Sequence, residues 1–441
     1  MLVALISGGS AGCLRQTGYC LVDTDCPQGH RCTVSEFTCT PSSPAPLDGG
    51  IGGPSDDAAR TGTGDAAALD LADVMLPPLP AKCLAYSDSP IPLGYAGSVG
   101  DLFGSSASAD GDWLVVGAPG RATQRGAVVL YWRGDAYSAG QIVQVTDGAA
   151  GDRFGAAVAL RGDALLVGAP GRGGTGAVYA LIRSGKTWSA PSLLTAPAAL
   201  PTSAALGSAL AVLQDQALAG APGAGRTFRY QRNGGLWNSA AEVTAPSGLT
   251  PADRFGAAVA LTSTAAFIAA PAASSQRGQV FSYASGGQGS PSELFLGSLG
   301  ARSGESMAAD ADRLLIGLPG VSADRGLALL FERSAMGPFV QSLTLSTPDA
   351  QDGDLLGRAV AAQGDWLLAG LPGRTSSTGR AARCNRSDAS TITTPRLLSS
   401  GRPETTQGVG SAVTLSIDGL VVGAPTTNSS MGAAYRFICS G

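Results

Sequence analysis

Two linked motifs that recur seven times constrain the fold of this chain more than any other feature. In every copy an apolar stretch ends in Gly-Ala-Pro or a close variant, and a further glycine lies 13 residues upstream of its first residue. Successive copies are 48 to 53 residues apart. The downstream positions are Gly117, Gly168, Gly220, Ala269, Gly317, Gly370 and Gly423, and the upstream positions are Gly104, Gly155, Gly207, Gly256, Gly304, Gly357 and Gly410. A fixed interval within a variable period indicates paired strands joined by tolerant loops, because an insertion between paired strands would shift their register.

The second copy shows what this fixed interval contains. Two apolar runs, residues 156–160 and 164–167, flank the tight turn Arg161-Gly162-Asp163. This pattern predicts a β-hairpin. Both runs are almost continuously apolar, so we expect both faces of these strands to be buried.

A third apolar run and a fourth, more polar run follow the hairpin in most copies, as in residues 126–131 and 141–146. Four short strands in about 50 residues, apolar on the inside and polar on the outside, are typical of a propeller blade. The sequence therefore predicts an all-β fold, a seven-bladed β-propeller of four-stranded blades. Small residues on the innermost strands, such as Ala257 and Ala258, suit the crowded central axis.

The ends of the repeat region indicate how the ring closes. The last copy stops after its third run, whereas Ile91 and Leu93 precede the first copy at the place of a fourth strand. We therefore predict that this N-terminal strand completes blade seven. Cys83 would precede this strand and Cys439 would end its neighbour, which predicts a Cys83–Cys439 disulfide.

The segment before the propeller divides into three parts. Residues 1–12 resemble a signal peptide, residues 13–39 are rich in cysteine, and residues 40–82 have the Pro, Gly, Ser and Asp content of a flexible linker, which leaves 83–441 for the propeller. Cys13 follows an apolar stretch and small residues, which favours lipidation, with a disulfide as the alternative. The remaining cysteines of this segment are Cys20, Cys26, Cys32 and Cys39. Their spacing favours two disulfides over a zinc site, and three pairings are possible.

Two resemblances follow from these motifs. The Phe-Gly and Gly-Ala-Pro pattern over residues 83–441 resembles the FG-GAP repeat family, which includes the β-propellers of integrin α-chains. The stretch Cys20-Leu-Val-Asp-Thr-Asp-Cys26 and its continuation to Cys32 resembles small cysteine-rich modules near the N-termini of bacterial surface lipoproteins. The first resemblance implies the propeller fold, and the second implies the cell envelope.

Composition excludes several functional classes. The net charge is −4, which argues against nucleic-acid binding. The one histidine, His30, lies among the N-terminal cysteines, so histidine-based catalysis in the propeller is excluded. No apolar run approaches the roughly 18 residues of a membrane-spanning helix, so membrane contact is expected only through an N-terminal lipid. Integrin-like blades often hold calcium between their first two strands, but these turns bring together at most two carboxylates, which predicts no metal and no cofactor.

Charged residues recur at the loops that enter each blade and at the loops after Gly-Ala-Pro. Because both kinds of loop lie on one face of a propeller, they predict a mixed-charge rim that serves either as a network of ion pairs and turn caps or as a face that binds acidic groups. The candidate binding residues are Asp101, Asp152, Asp253, Asp354, Arg121, Arg172 and Arg374.

These observations favour a non-enzymatic binding or adhesion-type protein of the cell surface or the secreted space, which recognises a protein or a glycan through the propeller face. The alternative is a carbohydrate-active enzyme or lectin with an Asp/Arg pocket at the mouth of the propeller. The predicted location is extracytoplasmic, as a lipoprotein of a bacterial cell envelope or as a secreted protein.

Overall fold

The computed structural model describes residues 89–438, apart from 139, 195, 197–198, 335–336, 386–394 and 402–406. It also describes the backbone of three short strands, Cys13–Arg15, His30–Thr33 and Thr38–Pro41. The signal-like segment 1–12 and most of the linker 40–82 lie outside the described residues. The same is true of the side chains of Cys13, Cys20, Cys26, Cys32, Cys39, Cys83 and Cys439, so the predictions for them stay predictions.

The chain forms two compact units. One comprises Met1–Arg15 and Pro77–Gly441, and the other comprises Gln16–Leu76. In the smaller unit, the two strands between residues 30 and 41 pair as an antiparallel hairpin. In the part of the chain that the structure describes, no helix has both the length and the apolar character needed to cross a membrane.

Seven antiparallel sheets, one for each sequence repeat, make up the larger unit, and we number them as blades 1 to 7. Each blade has four main strands, in sequential order in blades 1 to 6, and the first strand lies nearest the central channel. The first strands are Ser106–Asp110, Ala157–Arg161, Ala209–Leu213, Ala258–Leu261, Ser306–Asp310, Val360–Gln363 and Ala412–Ser416. The second strands are Trp113–Ala118, Ala164–Ala169, Gln216–Ala221, Ala265–Ala270, Arg313–Leu318, Trp366–Leu371 and Gly419–Ala424. The predicted seven-bladed propeller is therefore confirmed.

The third and fourth strands complete each blade toward the outside. The third strands are Ala127–Trp132, Ala177–Ser184, Arg226–Asn233, Gln279–Ala284, Leu327–Arg333, Arg380–Asn385 and Ala433–Ile438. The fourth strands are Gln141–Val143, Ser192–Leu194, Leu236–Glu242, Gln288–Leu296, Phe339–Leu345, Arg396–Leu398 and Ile91–Pro92. Blade 2 carries the additional short strand Thr187–Trp188, and Cys13–Arg15 pairs with the outer strand of blade 5.

Short turns connect the strands. One-turn helical segments follow the second strand at Arg121–Gln124, Ala273–Gln276, Val321–Asp324, Arg374–Ser377 and Thr427–Ser430. Three-residue 3₁₀ turns lie at Arg133–Asp135, Arg172–Gly174, Pro251–Asp253 and Ser285–Gly287. Several of the one-turn segments contain left-handed residues, such as Ala122 and Thr123 with φ of 53° and 61°.

The 13-residue interval has a direct structural cause. In all seven blades the N–H group of the upstream glycine donates a hydrogen bond of 2.9–3.0 Å to the carbonyl oxygen of the downstream residue. This bond joins the start of the first strand to the end of the second strand, so it sets the length of the hairpin between them. An inserted residue would break both this bond and the strand register.

The downstream glycine also allows adjacent blades to approach closely. A Cβ atom built on Gly168 would lie closer than 3.0 Å to the carbonyl oxygen of Gly207, at the start of the next blade. The same overlap with the next blade arises at five further downstream glycines: Gly117, Gly220, Gly317, Gly370 and Gly423. Blade 4 has Ala269 instead, and its methyl group lies in the space left by the missing side chain of Gly304. At each seam, therefore, at most one of the two facing residues, the downstream residue of one blade or the upstream glycine of the next, can carry a side chain.

Blade 7 is closed by the N-terminal strand, as predicted. Ile91 and Pro92 pair with Arg436 and Tyr435, and the N–H group of Leu93 donates a 2.9 Å hydrogen bond to the carbonyl oxygen of Ala434. The side chain of Leu93 is 7% exposed, whereas that of Ile91 is 43% exposed. The first and last strands of the propeller thus lie in one sheet.

The first strands differ from the expectation of complete burial. All second strands are largely or fully buried, but the first strands of blades 1, 3 and 5 are only half-buried along their length. The reason is a central channel with a volume of about 250 Å³, lined by the first strands of all seven blades. Short side chains such as Ala107 and Ala308 face it, which fits the predicted small residues near the axis.

Candidate functional site

We call the face of the ring that carries the blade-entry loops and the loops after Gly-Ala-Pro the rim face. The opposite face, which carries the hairpin turns, is the turn face. Three predicted Asp/Arg pairs, each 20 residues apart in sequence, meet on the rim face. Their N–O distances are 3.0 Å for Arg121–Asp101, 3.2 Å for Arg172–Asp152 and 2.6 Å for Arg374–Asp354.

The aspartates of these pairs are internal. Asp101, Asp152 and Asp354 are only 1–3% exposed. One carboxylate oxygen of each also accepts the backbone N–H of the residue three positions earlier, at 2.8–2.9 Å. Each aspartate thus caps the loop that enters its blade and neutralises an arginine from the adjacent loop. The structure places these groups where they stabilise the loops, and leaves little of the carboxylates for a ligand.

Asp253 of blade 4 shares the capping role without an arginine. Its carboxylate accepts hydrogen bonds from the N–H and the hydroxyl of Thr250 at 2.7 and 2.8 Å. The position 20 residues later is Ala273, a buried alanine. The structure therefore brings Asp253 together with none of the predicted arginines, and this carboxylate is half-buried.

The remaining blades replace the pair by uncharged side chains. Blade 5 has Ala301 and Val321 at the two positions, and blade 7 has the buried residues Gln407 and Thr427. The arginine therefore occurs only in blades 1, 2 and 6, and in each of these blades the aspartate is present as well. This joint pattern follows from the cost of burying an unpaired charge.

Each of these three arginines also contacts a second polar side chain. In blades 2 and 6, Arg172 and Arg374 also form ion pairs with the more exposed Asp147 and Asp349. In blade 1 the phenol of Tyr95 takes this place: it donates a 2.6 Å hydrogen bond to Asp101 and accepts one of 3.0 Å from Arg121. Burial, together with the hydrogen bond to Asp101, raises the pKa of Tyr95 to about 12. The phenol therefore stays protonated near neutral pH.

Substitution of Asp354 by asparagine should lower the free energy of unfolding by about 3 kcal/mol, because it leaves a buried guanidinium without its buried partner. Arg374 is 6% exposed and its other ion-pair partner, Asp349, is largely in solvent. Asp253→Asn is the matched control, with an expected loss of about 1 kcal/mol or less because only a loop cap is changed. Urea unfolding of both variants measures the difference, and equal losses would contradict the buried-pair interpretation.

Several arginines of the rim face have no such partner, and two of them lie in adjacent segments. Among the described residues, the guanidinium groups of Arg125 and Arg153 form no ion pair and no hydrogen bond, and both side chains are exposed. Their segments are adjacent across the seam between blades 1 and 2: the N–H of Arg153 donates to the carbonyl oxygen of Gln124 at 2.7 Å, and the N–H of Phe154 donates to that of Arg125 at 2.9 Å. We call Arg125 and Arg153 the rim arginine pair.

The sequence predicts charged residues in the rim loops, but neither Arg125 nor Arg153 is among the candidate binding residues that it singled out. The available signal was the triplet Asp152-Arg153-Phe154, in which an arginine separates the capping aspartate from the Phe-Gly motif. Arg153 has a left-handed φ of 59°, which neither Asp152 nor Phe154 shares. No group of three or more potential metal ligands occurs among the described residues.

Comparison with known proteins agrees with this architecture. Residues 141–181 match the family model described as FG-GAP repeat. This segment runs from the outer strand of blade 1 to the third strand of blade 2, and it contains Phe154-Gly155 and Gly168-Ala-Pro. No curated protein matches the chain. The FG-GAP propeller is typically a protein-binding scaffold. The chain is thus a seven-bladed propeller in which the repeat centred on blade 2 is similar to the FG-GAP repeat.

Proposed function

We propose that this protein is a non-enzymatic, cell-surface or secreted binding module that recognises an acidic surface of a partner protein through the rim arginine pair. The observation that carries the proposal is the contrast within one face. Asp101, Asp152 and their arginines neutralise each other, whereas Arg125 and Arg153 are exposed and unpaired among the described residues. Arginine presents a planar set of donors that suits carboxylates.

The loop beneath Arg125 supports this role, because it is held in one conformation before any partner binds. Residues Ala122, Thr123 and Gln124 are exposed and all have positive φ. This strained turn is fixed by a 2.9 Å hydrogen bond from Gly126 N to Arg121 O and by the bonds from the next blade. A preorganised loop loses less conformational entropy on binding than a flexible one.

The proposed location is extracytoplasmic, with Cys13 as a lipid anchor of a bacterial envelope protein and 40–82 as its tether. A disulfide supports an oxidising compartment, because Cys384, which is 1% exposed, is disulfide-bonded.

Affinity capture with the purified full chain tests the proposal. The chain would be immobilised and incubated with envelope extract, and the double variant Arg125→Glu/Arg153→Glu should lose a protein that the wild type retains. The retained protein should also elute as salt is raised, since exposed charge pairs are screened over about 8 Å at 0.15 M salt. Reversal of Arg121 or Arg172 is unsuitable, because it would leave Asp101 or Asp152 buried without a partner.

Arg254→Glu is the matched control, because Arg254 is also exposed, has a left-handed φ of 60° and follows a capping aspartate, but lies in blade 4. This variant should retain the partner. Equal retention by the double variant and the control would exclude the rim arginine pair as the binding site. Turnover of an envelope glycan by the wild type would instead favour the carbohydrate-active alternative.

A further inference from the structure

A second candidate site lies on the turn face, between blades 1 and 2. The hairpin turn of blade 1 and the turn Gly185-Lys186 of blade 2 form the walls of a cleft with a volume of about 380 Å³. Trp113 and Trp132 of blade 1 contribute its aromatic surface. A volume of this size falls in the range of small-ligand sites. We call it the turn-face cleft.

The cleft contains a buried carboxylate oxygen without a hydrogen bond. The side chain of Asp110 is 9% exposed. Its Oδ2 accepts a 2.7 Å hydrogen bond from the N–H of Gly162, whereas its Oδ1 is buried and has no hydrogen-bond partner. The nearest cation is Arg161, whose Nη1 lies 3.7 Å from Oδ1, which is too long for a hydrogen bond.

The same cleft contains an unused donor. Arg183 donates from Nη1 to the carbonyl oxygen of Gly185 at 2.7 Å and from Nη2 to that of Gly162 at 3.3 Å. Its Nε is buried and has no partner. Buried polar groups are nearly always satisfied in folded proteins, so an acceptor and a donor that both lack a partner in one cleft point to a ligand that supplies both.

An indole lies beside these polar groups, and its face is covered by a movable cation. Nζ of Lys186 is 3.4 Å from the ring centroid of Trp132. Lys186 is exposed and follows Gly185, which has a φ of 59° at the tip of the turn. The ammonium group can leave the indole for solvent at little cost, since a cation–π contact at an exposed site is weak.

We propose that the turn-face cleft binds a neutral sugar ring of a polysaccharide. A hydroxyl group both accepts and donates, so adjacent hydroxyls satisfy Asp110 Oδ1 and Arg183 Nε together. An organic cation would leave Arg183 Nε without an acceptor, and an anion without a hydroxyl or N–H group would leave Asp110 Oδ1 without a donor. The C–H face of the sugar packs on the indole of Trp132 after Lys186 has moved away. This site is separate from the rim arginine pair, because the two lie on opposite faces.

Native affinity electrophoresis of the full chain tests this proposal. Gels containing dextran, mannan, xylan or glycogen would be compared with a gel without polysaccharide. At least one of the four should retard the wild type, and Asp110→Asn should raise its apparent Kd about tenfold, because the amide would present a donor beside the donor of Arg183. Lys186→Ala should lower the Kd about fivefold, since no ammonium has to be displaced from Trp132.

Asp310→Asn is the matched control. Asp310 holds the same position in blade 5, where its Oδ2 accepts a 2.6 Å hydrogen bond from the N–H of Gly364, but Arg313 and Glu332 take the places of Trp113 and Trp132. This variant should bind the polysaccharide as the wild type does. Three results would overturn the proposal: no retardation of the wild type in any gel, equal Kd values for Asp110→Asn and Asp310→Asn, or weaker binding by Lys186→Ala. Retained binding in the rim double variant would separate this site from the proposed protein interface.

Discussion

Replacement of Gly168 by alanine should lower the free energy of unfolding by about 3 kcal/mol or more, or prevent folding altogether. The added methyl group would overlap the carbonyl oxygen, carbonyl carbon and Cα of Gly207, all of which are backbone atoms of the next blade. The backbone of Gly207, whose N–H donates to the carbonyl oxygen of Gly220, cannot rotate away as a flexible side chain can, so the seam between blades 2 and 3 would have to open. Urea unfolding followed by tryptophan fluorescence measures the loss.

Two control variants separate this overlap from a general cost of alanine. Gly111 lies in a hairpin turn with a φ of 54°, and no atom lies within 4 Å of the place that a methyl group would occupy there. Gly111→Ala should therefore cost only about 1 kcal/mol through its left-handed backbone. Ala269→Gly, which removes the methyl group found at the equivalent position of blade 4, should also cost about 1 kcal/mol. A loss for Gly168→Ala no greater than these two would contradict close packing at the seams.

Substitution of Leu93 by aspartate should have a comparable effect, about 3 kcal/mol or more, because a carboxylate would be placed among apolar side chains. Leu93 is 7% exposed and packs in a cluster with Tyr131 and Val421, which belong to blades 1 and 7. The substitution would therefore weaken both the fourth strand of blade 7 and the contact between the first and last blades. Thermal unfolding and limited proteolysis would both report the change.

Ile91→Asp is the control for the closing strand, because Ile91 lies two residues away and is 43% exposed. It should change stability by about 0.5 kcal/mol or less, as most surface substitutions do. In proteolysis, Leu93→Asp should be cut in the outer strands of blade 7 while Ile91→Asp remains resistant. Equal sensitivity of the two variants would argue against closure through residues 91–93.

Much of this fold could be predicted because the constraint is local and repeated. The bond from Gly155 N to Gly168 O, like its six counterparts, spans only 13 residues, so its geometry appears in the sequence as a constant interval. The closing strand was predictable for a related reason: the last copy lacks its fourth run, and Ile91 and Leu93 lie before the first copy at the place of such a run.

The candidate sites were less predictable, because they depend on which groups neutralise each other across loops and blades. The sequence placed Asp101 and Arg121 on one face, but it could not show that the carboxylate is 3% exposed and shared with Tyr95. Likewise, nothing in the sequence near Asp110 indicates that its cleft is completed by Arg183 and Lys186, which come from the next blade, more than 70 residues away. Burial and pairing of charges are properties of the assembled ring.

The closure of blade 7 has a consequence for how the chain folds during synthesis. Residues 91–93 leave the ribosome roughly 340 residues before Tyr435 and Arg436, which at about 5–20 residues per second is a delay of roughly 20–70 s. Six blades can form during that time, but residues 91–93 have no strand to pair with until Ala433–Ile438 has been synthesised. Premature termination before residue 433 would therefore release an open arc whose first and last blades expose apolar sheet faces, and such a species is prone to aggregation.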